Sequence, residues 1–273
     1  MAVLGVDVGG TKLLMLAGEP GTPRSRKVAT GPDFTPAQLK EALAAFIQDL
    51  GEPVERIGIA LPGLVIGDHE LRLSDVLPAL QGLKAGDLAS LAGRVRLIND
   101  VRAALHHETA AEPNVDTAVV MIGTGIGAAI QQGGRVLEGS RGWAGELGSI
   151  PLATDDGPRT LDQLASGASL LARAGVDAAT LNARLAAGDP ATQALVHQAG
   201  HCLGLGIATL VNLLNPQRIV LGGGTLHYPG YLQAALDAAQ RHSLEDLWNA
   251  CSITRSGNPE QMAALGAQRF AAR

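Results

Sequence analysis

Near its start the chain carries Asp7-Val8-Gly9-Gly10-Thr11-Lys12 between two short apolar runs. Val3 to Val8 is rich in β-branched residues and reads as a strand, and Leu13 to Ala17 reads as a second. The residues between them predict a tight hairpin, because glycine adopts positive φ without a Cβ clash and lets backbone approach a bulky group. Successive N–H groups in such a turn form a concavity suited to an anion. Asp7 precedes the turn and Lys12 follows it, and a carboxylate in that place suits a hard cation such as Mg²⁺ held through water. A plain Gly-Gly hairpin without a ligand would use the same residues, so the rest of the chain decides.

Arg26 to Thr30 reads as a third strand. Thr35-Pro36-Ala37-Gln38 opens a helix with a capping-box pattern and proline at its first position. Leu39, Leu43, Phe46, Ile47 and Leu50 then recur at helical spacing up to Gly51. Ile57 to Leu61 and Val95 to Ile98 are short buried strands, the second leading into Asn99-Asp100 and a helix from Val101 to about Ala111. The pattern then restarts. Thr117 to Ile122 and Ile126 to Gln131 read as strands around the turn Gly123-Thr124-Gly125, a second glycine hairpin. A helical stretch from Leu161 to Asn215 follows, its longest helix opened by Asp189-Pro190 and interrupted by Gly200, Gly204 and Gly206. Arg218 to Leu221 is a strand ending in Gly222-Gly223-Gly224, Gly230 to His242 a helix, Ile253-Thr254 an edge strand, and Pro259 to Ala271 a terminal amphipathic helix.

This order predicts an α/β protein built on a duplicated two-domain plan with a cleft between the domains. The first domain covers 1–111, joined by the C-terminal helix 258–273, and the second covers 112–257. At 273 residues, 46% hydrophobic and 17% charged, the chain is long enough for two moderate cores. A net charge of −5, no basic block and 3% aromatics argue against nucleic-acid binding. Cys202 and Cys251 are single, which fits a reducing compartment and offers no Cys-x-x-Cys metal site. The expectation is a cytoplasmic protein with no leader and no membrane association.

With these residues in view, the chain resembles the ROK family of repressors and sugar kinases, in the sugar kinase and actin superfamily. The matching segments, in family order, are Asp7–Lys12, Ala60–Gly63, Ile98–Ala104, Gly123–Gly127, Gly145–Gly148, Leu164–Gly167 and Asn215–Gly224. The resemblance implies an actin-like (ribonuclease H-like) fold and ATP-dependent phosphorylation of a hexose, first of all glucose, with Mg²⁺. Asp7, Gly9, Gly10, Thr11 and Lys12 would meet the β- and γ-phosphates, with Asp7 holding Mg²⁺ through water. Gly123, Thr124, Gly125 and Gly127 would form the second phosphate loop, and Gly222, Gly223 and Gly224 would border the adenosine. Asp100 would be the general base. A carboxylate at a strand end also supports that chemistry directly, since phosphoryl transfer needs mainly positioning and an oriented nucleophile. Asn99-Asp100 equally fits a helix N-cap pair. Pro62, Gly63, Asn99, Glu146, Ser149 and Asp162 would line the sugar subsite. A homodimer follows from the resemblance more than from the residues.

Asp162 stands where the family usually carries a longer sugar-binding glutamate, and the chain departs from the family pattern in two further places. Ser149 stands where the family carries a histidine, and Thr154 to Leu161 lacks the cysteines of the structural zinc cluster, so no zinc is expected. A hydrogen bond lost in a buried polar pocket costs roughly 1–3 kcal/mol, which relaxes or alters sugar preference. The alternatives are a hexosamine kinase acting on N-acetylglucosamine or N-acetylmannosamine, a fructokinase, a polyphosphate-dependent enzyme, or a non-catalytic sugar-binding protein. No G-x-G-x-x-G follows a strand, so a dinucleotide-dependent oxidoreductase lacks its fingerprint.

Overall fold

A computed structural model describes residues 2–18 and 23–273. Its contacts divide the chain into two compact units. The first runs to Pro113 and adds Glu138–Ala144 and Asn258–Arg273; the second comprises Asn114–Leu137 and Gly145–Gly257.

The first unit contains β1 (Ala2–Val8), β2 (Lys12–Ala17), β3 (Arg24–Ala29), α1 (Pro36–Leu50) and β4 (Val54–Leu61). A small hairpin of β5 (Leu64–Ile66) and β6 (Glu70–Leu73) follows, then β7 (Arg94–Asn99) and α2 (Asp100–Glu108). The sheet order is β3-β2-β1-β4-β7, antiparallel on the β2 side of β1 and parallel on the β4 side. α1 forms as its caps predict. Thr35 and Gln38 satisfy each other's backbone N–H groups, Pro36 sits in the first turn, and Gly51 ends the helix at φ 70°. Its buried face, Leu39, Leu43, Phe46 and Leu50, packs in one core with Leu4, Val6 and Val8 of β1. α2 stops three residues short of the expected Ala111, because the Thr109 hydroxyl donates to Leu105 O at 2.8 Å and Thr109 closes the last turn.

The second unit repeats the topology. It contains β8 (Thr117–Ile122), β9 (Ile126–Gln132), β10 (Arg135–Val136), the short pair β11 (Pro151–Leu152) and β12 (Arg159–Thr160), α3 (Leu161–Ala165), α4 (Gly167–Ala174) and α5 (Ala178–Ala186). Then come α6 (Pro190–Leu214), β13 (Arg218–Gly222), α7 (Tyr231–His242), α8 (Glu245–Ala250) and β14 (Ser252–Arg255). The sheet order β10-β9-β8-β13-β14 has the same alternation of antiparallel and parallel pairs, with β14 at the edge as expected. Contrary to expectation, Gly200, Gly204 and Gly206 do not interrupt α6, which runs unbroken for 25 residues. They let α7 and α3 approach it. A Cβ on Gly200 would lie 2.2 Å from Tyr231 O, one on Gly204 2.4 Å from Ala235 O, and one on Gly206 2.7 Å from a methyl of Leu161. By length and composition α6 could cross a bilayer, yet over half of its apolar stretch is buried within the protein. Tyr231 is wholly buried at this junction and donates its hydroxyl to Ala165 O at 2.6 Å, which ties α7 to α3.

The chain ends with α9 (Met262–Ala272), three residues later than the sequence suggested, in the first unit. It lies on the sheet face opposite α1. Seating is backbone to backbone: a Cβ on Gly5 of β1 would fall 2.1 Å from Ala264 O, one on Gly58 of β4 1.9 Å from Ala267 O, and one on Gly266 1.7 Å from Ala103 O of α2. Phe270 stacks on His106 and lies 3.7 Å under the Arg96 guanidinium. Burial, then the positive charges of Arg273 and Arg96, push His106 down to about 4, so it is neutral in the fold at pH 7. Gly266→Ala forces a methyl into a backbone carbonyl and should cost about 3 kcal/mol or more. Urea unfolding checks this against Gly257→Ala, whose Cβ would meet open space and which should be near neutral.

Candidate active site

In the first unit, three parallel strands deliver the expected residues to one end of the sheet. Asp7 is the penultimate residue of β1 and is in register with Ala60 of β4; Leu61, at the end of β4, is in register with Asn99, at the end of β7. Pro62-Gly63 and Asp100 follow directly. Ligands of open α/β sheets bind beyond such strand ends. The β1–β2 hairpin is tight, with Gly9 N donating to Lys12 O at 2.9 Å. Thr30 supports it from β3's end, its hydroxyl donating to Gly9 O at 2.6 Å and its N–H to Thr11 O at 3.1 Å. Gly10 has no room for a side chain, since a Cβ would lie 2.8 Å from a methyl of Val76. Gly63 takes φ 111°, a conformation glycine tolerates, and packs on Leu73 O.

Asn99, not Asp100, caps α2. Its Oδ1 accepts from the N–H groups of Val101 and Arg102 at 3.1 Å each. Its Nδ2 donates to Gly63 O at 3.1 Å and to Asp100 Oδ1 at 3.0 Å. Asn99 thus joins the ends of β4 and β7 and orients the Asp100 carboxylate. Asp100 Oδ1 also accepts from Val101 N at 2.9 Å, and the helix dipole favours its charge. Asp7 has the opposite environment. Burial first, then repulsion from Asp100, push its pKa up to about 7, with Lys12 opposing them. Two carboxylates repelling one another beside an anion-binding hairpin fit a divalent cation, which would relieve that repulsion.

In the second unit the Gly123-Thr124-Gly125 turn is held by its carbonyls. Gly123 O accepts from Gly167 N at 2.8 Å and from the Thr225 hydroxyl at 3.2 Å; Thr124 O accepts from Ala168 N at 3.3 Å. These contacts explain the Leu164–Gly167 motif, since a Cβ at Gly167 would lie 2.7 Å from both Gly123 O and Thr225 Oγ1. Gly127 lies inside β9 opposite Met121, so it belongs to the strand rather than the turn. Asp162, in the first turn of α3, accepts from Ile126 N at 2.6 Å through Oδ1; burial pushes its carboxyl upward and that N–H opposes the shift. Gly148 leaves room for it, a Cβ there falling 2.6 Å from the same oxygen. Glu146 opens a single helical turn over Leu147–Ser149, and Ser149 N donates to Glu146 O at 3.1 Å. Gly222 ends β13 beside Met121, and Gly223, at φ 105°, packs on Ile122 O ahead of Gly224. A pocket of about 410 Å³ opens beside the turn, with Thr124, Arg159, Asp162, Ser166, Ser169 and Arg173 in its wall. Thr30, Val76 and Thr225 pack on the two glycine turns without being singled out by the sequence, as does Gly167 apart from its place in the Leu164–Gly167 segment.

The sequence profile of the ROK family matches residues 3–273. The chain belongs to the ROK family. It is 33% identical over 253 residues to the N-acetylmannosamine kinase of Escherichia coli O157:H7, covering 85% of this chain and 86% of that one. Among solved structures it is similar to the ROK hexokinase of Thermus thermophilus, at 33% identity and a TM-score of 0.82, covering 100% of this chain and 98% of that one. A ROK family glucokinase of Streptomyces griseus, solved with glucose and AMPPNP, shares the fold at a TM-score of 0.80 and 23% identity, covering 100% and 99%. These neighbours establish the two-domain actin-like α/β fold. No cluster of three or more His, Cys, Asp or Glu groups suited to a metal ion occurs among the described residues.

Because the pKa of Asp7 is raised in the fold, the native state holds its proton over a pH range where the unfolded chain has lost it. In metal-free protein, stability from this group is therefore present below about pH 4 and is lost as pH rises to about 7. Asp7→Asn should flatten that part of the melting temperature profile measured from pH 4 to 8 with a chelator. An unchanged slope would assign the shift elsewhere.

Proposed function

We propose that this protein is an ATP-dependent sugar kinase whose preferred acceptor is an N-acylated hexosamine of the N-acetylmannosamine type. The observation that carries the chemistry is Asp100, fixed by Asn99 at the end of β7 and electrostatically coupled to Asp7 beside the glycine hairpin. Support for the acceptor comes from the N-acetylmannosamine kinases, 33% identical over most of both chains. Those relatives favour the hexosamine alternative over glucose. A plain hexose is the second reading, supported by the hexokinase at the same identity.

In this reading Asp100 accepts the proton of the acceptor hydroxyl as that oxygen forms its bond to the γ-phosphorus of ATP. The bond from phosphorus to the β,γ-bridging oxygen breaks, and ADP leaves with that oxygen. Asn99 keeps the carboxylate aimed through the bond from its Nδ2 to Asp100 Oδ1. The N–H groups of Gly9 to Lys12 and the Lys12 ammonium bind phosphate oxygens. Asp7 would hold Mg²⁺ through water, and that ion would supply charge neutralisation to the phosphates. Gly123, Thr124 and Gly125 form the second phosphate loop, and Gly222 to Gly224 border the adenosine. Pro62, Gly63, Glu146, Ser149 and Asp162 receive the sugar. A homodimer in the cytoplasm belongs to the same proposal.

The test is coupled ADP release with ATP and Mg²⁺ against a panel of hexosamines and hexoses. N-Acetylmannosamine should give the highest kcat/KM. Asp100→Asn should lower kcat by about 10²–10⁴-fold with nucleotide affinity retained. Turnover near the wild-type rate in that variant would remove Asp100 from the chemistry. Nucleotide binding without turnover on any sugar would leave a sugar-binding protein that has lost the reaction.

A further inference from the structure

Glu138–Ala144 lies between stretches of the second unit in the chain but packs with the first. Just before it, Leu137 N donates to Ile130 O at 2.8 Å; just after it, Gly145 O accepts from Ala128 N at 2.8 Å. Both flanks are therefore pinned to β9. The segment itself is a closed loop, with Ala144 N donating to Glu138 O at 3.1 Å and glycines at φ 73° (Gly139) and 80° (Gly142) making its bends. What reaches it from the first unit is Arg102. Its Nη2 donates to Gly142 O at 2.8 Å and to Glu138 O at 3.4 Å, one contact at each end of the loop. Gly142 also rests on Leu64, where a Cβ would lie 3.0 Å from a methyl carbon.

The neighbours of this tether are all on the acceptor side of the proposed site. Arg102 lies two residues beyond Asp100, and its own N–H is held by Asn99 Oδ1. Leu64 follows Gly63, whose carbonyl accepts from Asn99. The loop leads, at its far end, directly into Gly145 and Glu146. Both bonds leave a single nitrogen, whose two hydrogens serve the two carbonyls at the end of a long side chain. We infer that Arg102 is a positioning residue for the acceptor sugar. It holds the Glu138–Ala144 strap beside Gly63 and the start of α2, so sugar binding depends on it and nucleotide binding does not. This inference rests on the kinase reading and deepens it.

Arg102→Ala should raise KM for the best acceptor about tenfold or more, with kcat and KM for ATP within about threefold of wild type. Arg102→Lys should recover part of the loss, and it keeps the test open if the alanine variant folds poorly. Hydrogen exchange should quicken at residues 138–144 in Arg102→Ala. Trp143, in the strap, becomes the single tryptophan in Trp248→Phe protein, and its emission should respond to added sugar in the parent but less in the Arg102→Ala version. Unchanged acceptor KM with unchanged exchange would overturn the inference, and so would equal losses for sugar and ATP. A wild-type protein inert toward every sugar would instead sink the kinase reading and take this role with it.

Discussion

The seating of α9 on the first unit's sheet is the contact on which the rest of that unit depends. Three backbone carbonyls, of Ala264, Ala267 and Ala103, occupy the places where side chains at Gly5, Gly58 and Gly266 would stand. Approach this close brings the aligned β1 and β4 under one helix and locks α2 against the same surface. Asp7 ends the first of these strands, Pro62-Gly63 follows the second, and Asp100 begins α2. A shift of α9 by the width of one methyl would therefore be felt at Asp7, Pro62-Gly63 and Asp100. Close-packed interiors transmit small displacements in this way because they have few voids to absorb them.

The two glycine turns occupy the same topological place in their sheets but are held by different means. The first is braced at its carbonyls by Thr30 and is flanked by charge, with Asp7, Lys12 and Asp100 interacting electrostatically. The second has no charged flank in sequence and is fixed by α4 and Thr225, whose donors take up the carbonyls of Gly123 and Thr124. The first thus has two mutually repelling carboxylates beside it, whereas Asp162, beside the second, is bonded to Ile126 N. In the kinase reading, that asymmetry suits a first turn that meets the reacting phosphates together with the metal, and a second phosphate loop that offers backbone donors.

Much of this was legible in the residues. Thr35, Pro36, Gln38 and Gly51 carry local signals for α1 that need no tertiary context, and both glycine hairpins stand between apolar runs of strand length. The duplicated sheets follow from that repetition. Features decided by long-range packing were not legible. Gly200, Gly204 and Gly206 look like helix breakers because intrinsic propensity is the only guide in one dimension, whereas close contact with α7 and α3 outweighs that cost. The β5–β6 hairpin depends on Gly63 fitting under Leu73 O, a contact ten residues away. Asn99 and Asp100 are both good caps, and the choice between them turns on Gly63 O being within reach of the amide. The strap at Glu138–Ala144 reads as an ordinary glycine loop because its partner, Arg102, is distant in sequence.

In the proposed reading, the acceptor preference turns on the short side chain at position 162. An aspartate there brings Oδ1 to 2.6 Å from Ile126 N, against Gly125 and Gly148, so that oxygen is committed to the second glycine turn. A glutamate there would carry its carboxylate one methylene further from the backbone. Ser149, in place of the family histidine, also reaches less far. Both departures shorten groups assigned to the sugar, and both therefore enlarge the space left for it. A larger acceptor fills such space better than a small one, since an unfilled polar pocket leaves its donors and acceptors without partners. An acyl group on the hexosamine supplies that bulk together with one further donor and acceptor. On this argument the shortened residues favour the larger acceptor of the proposed reading.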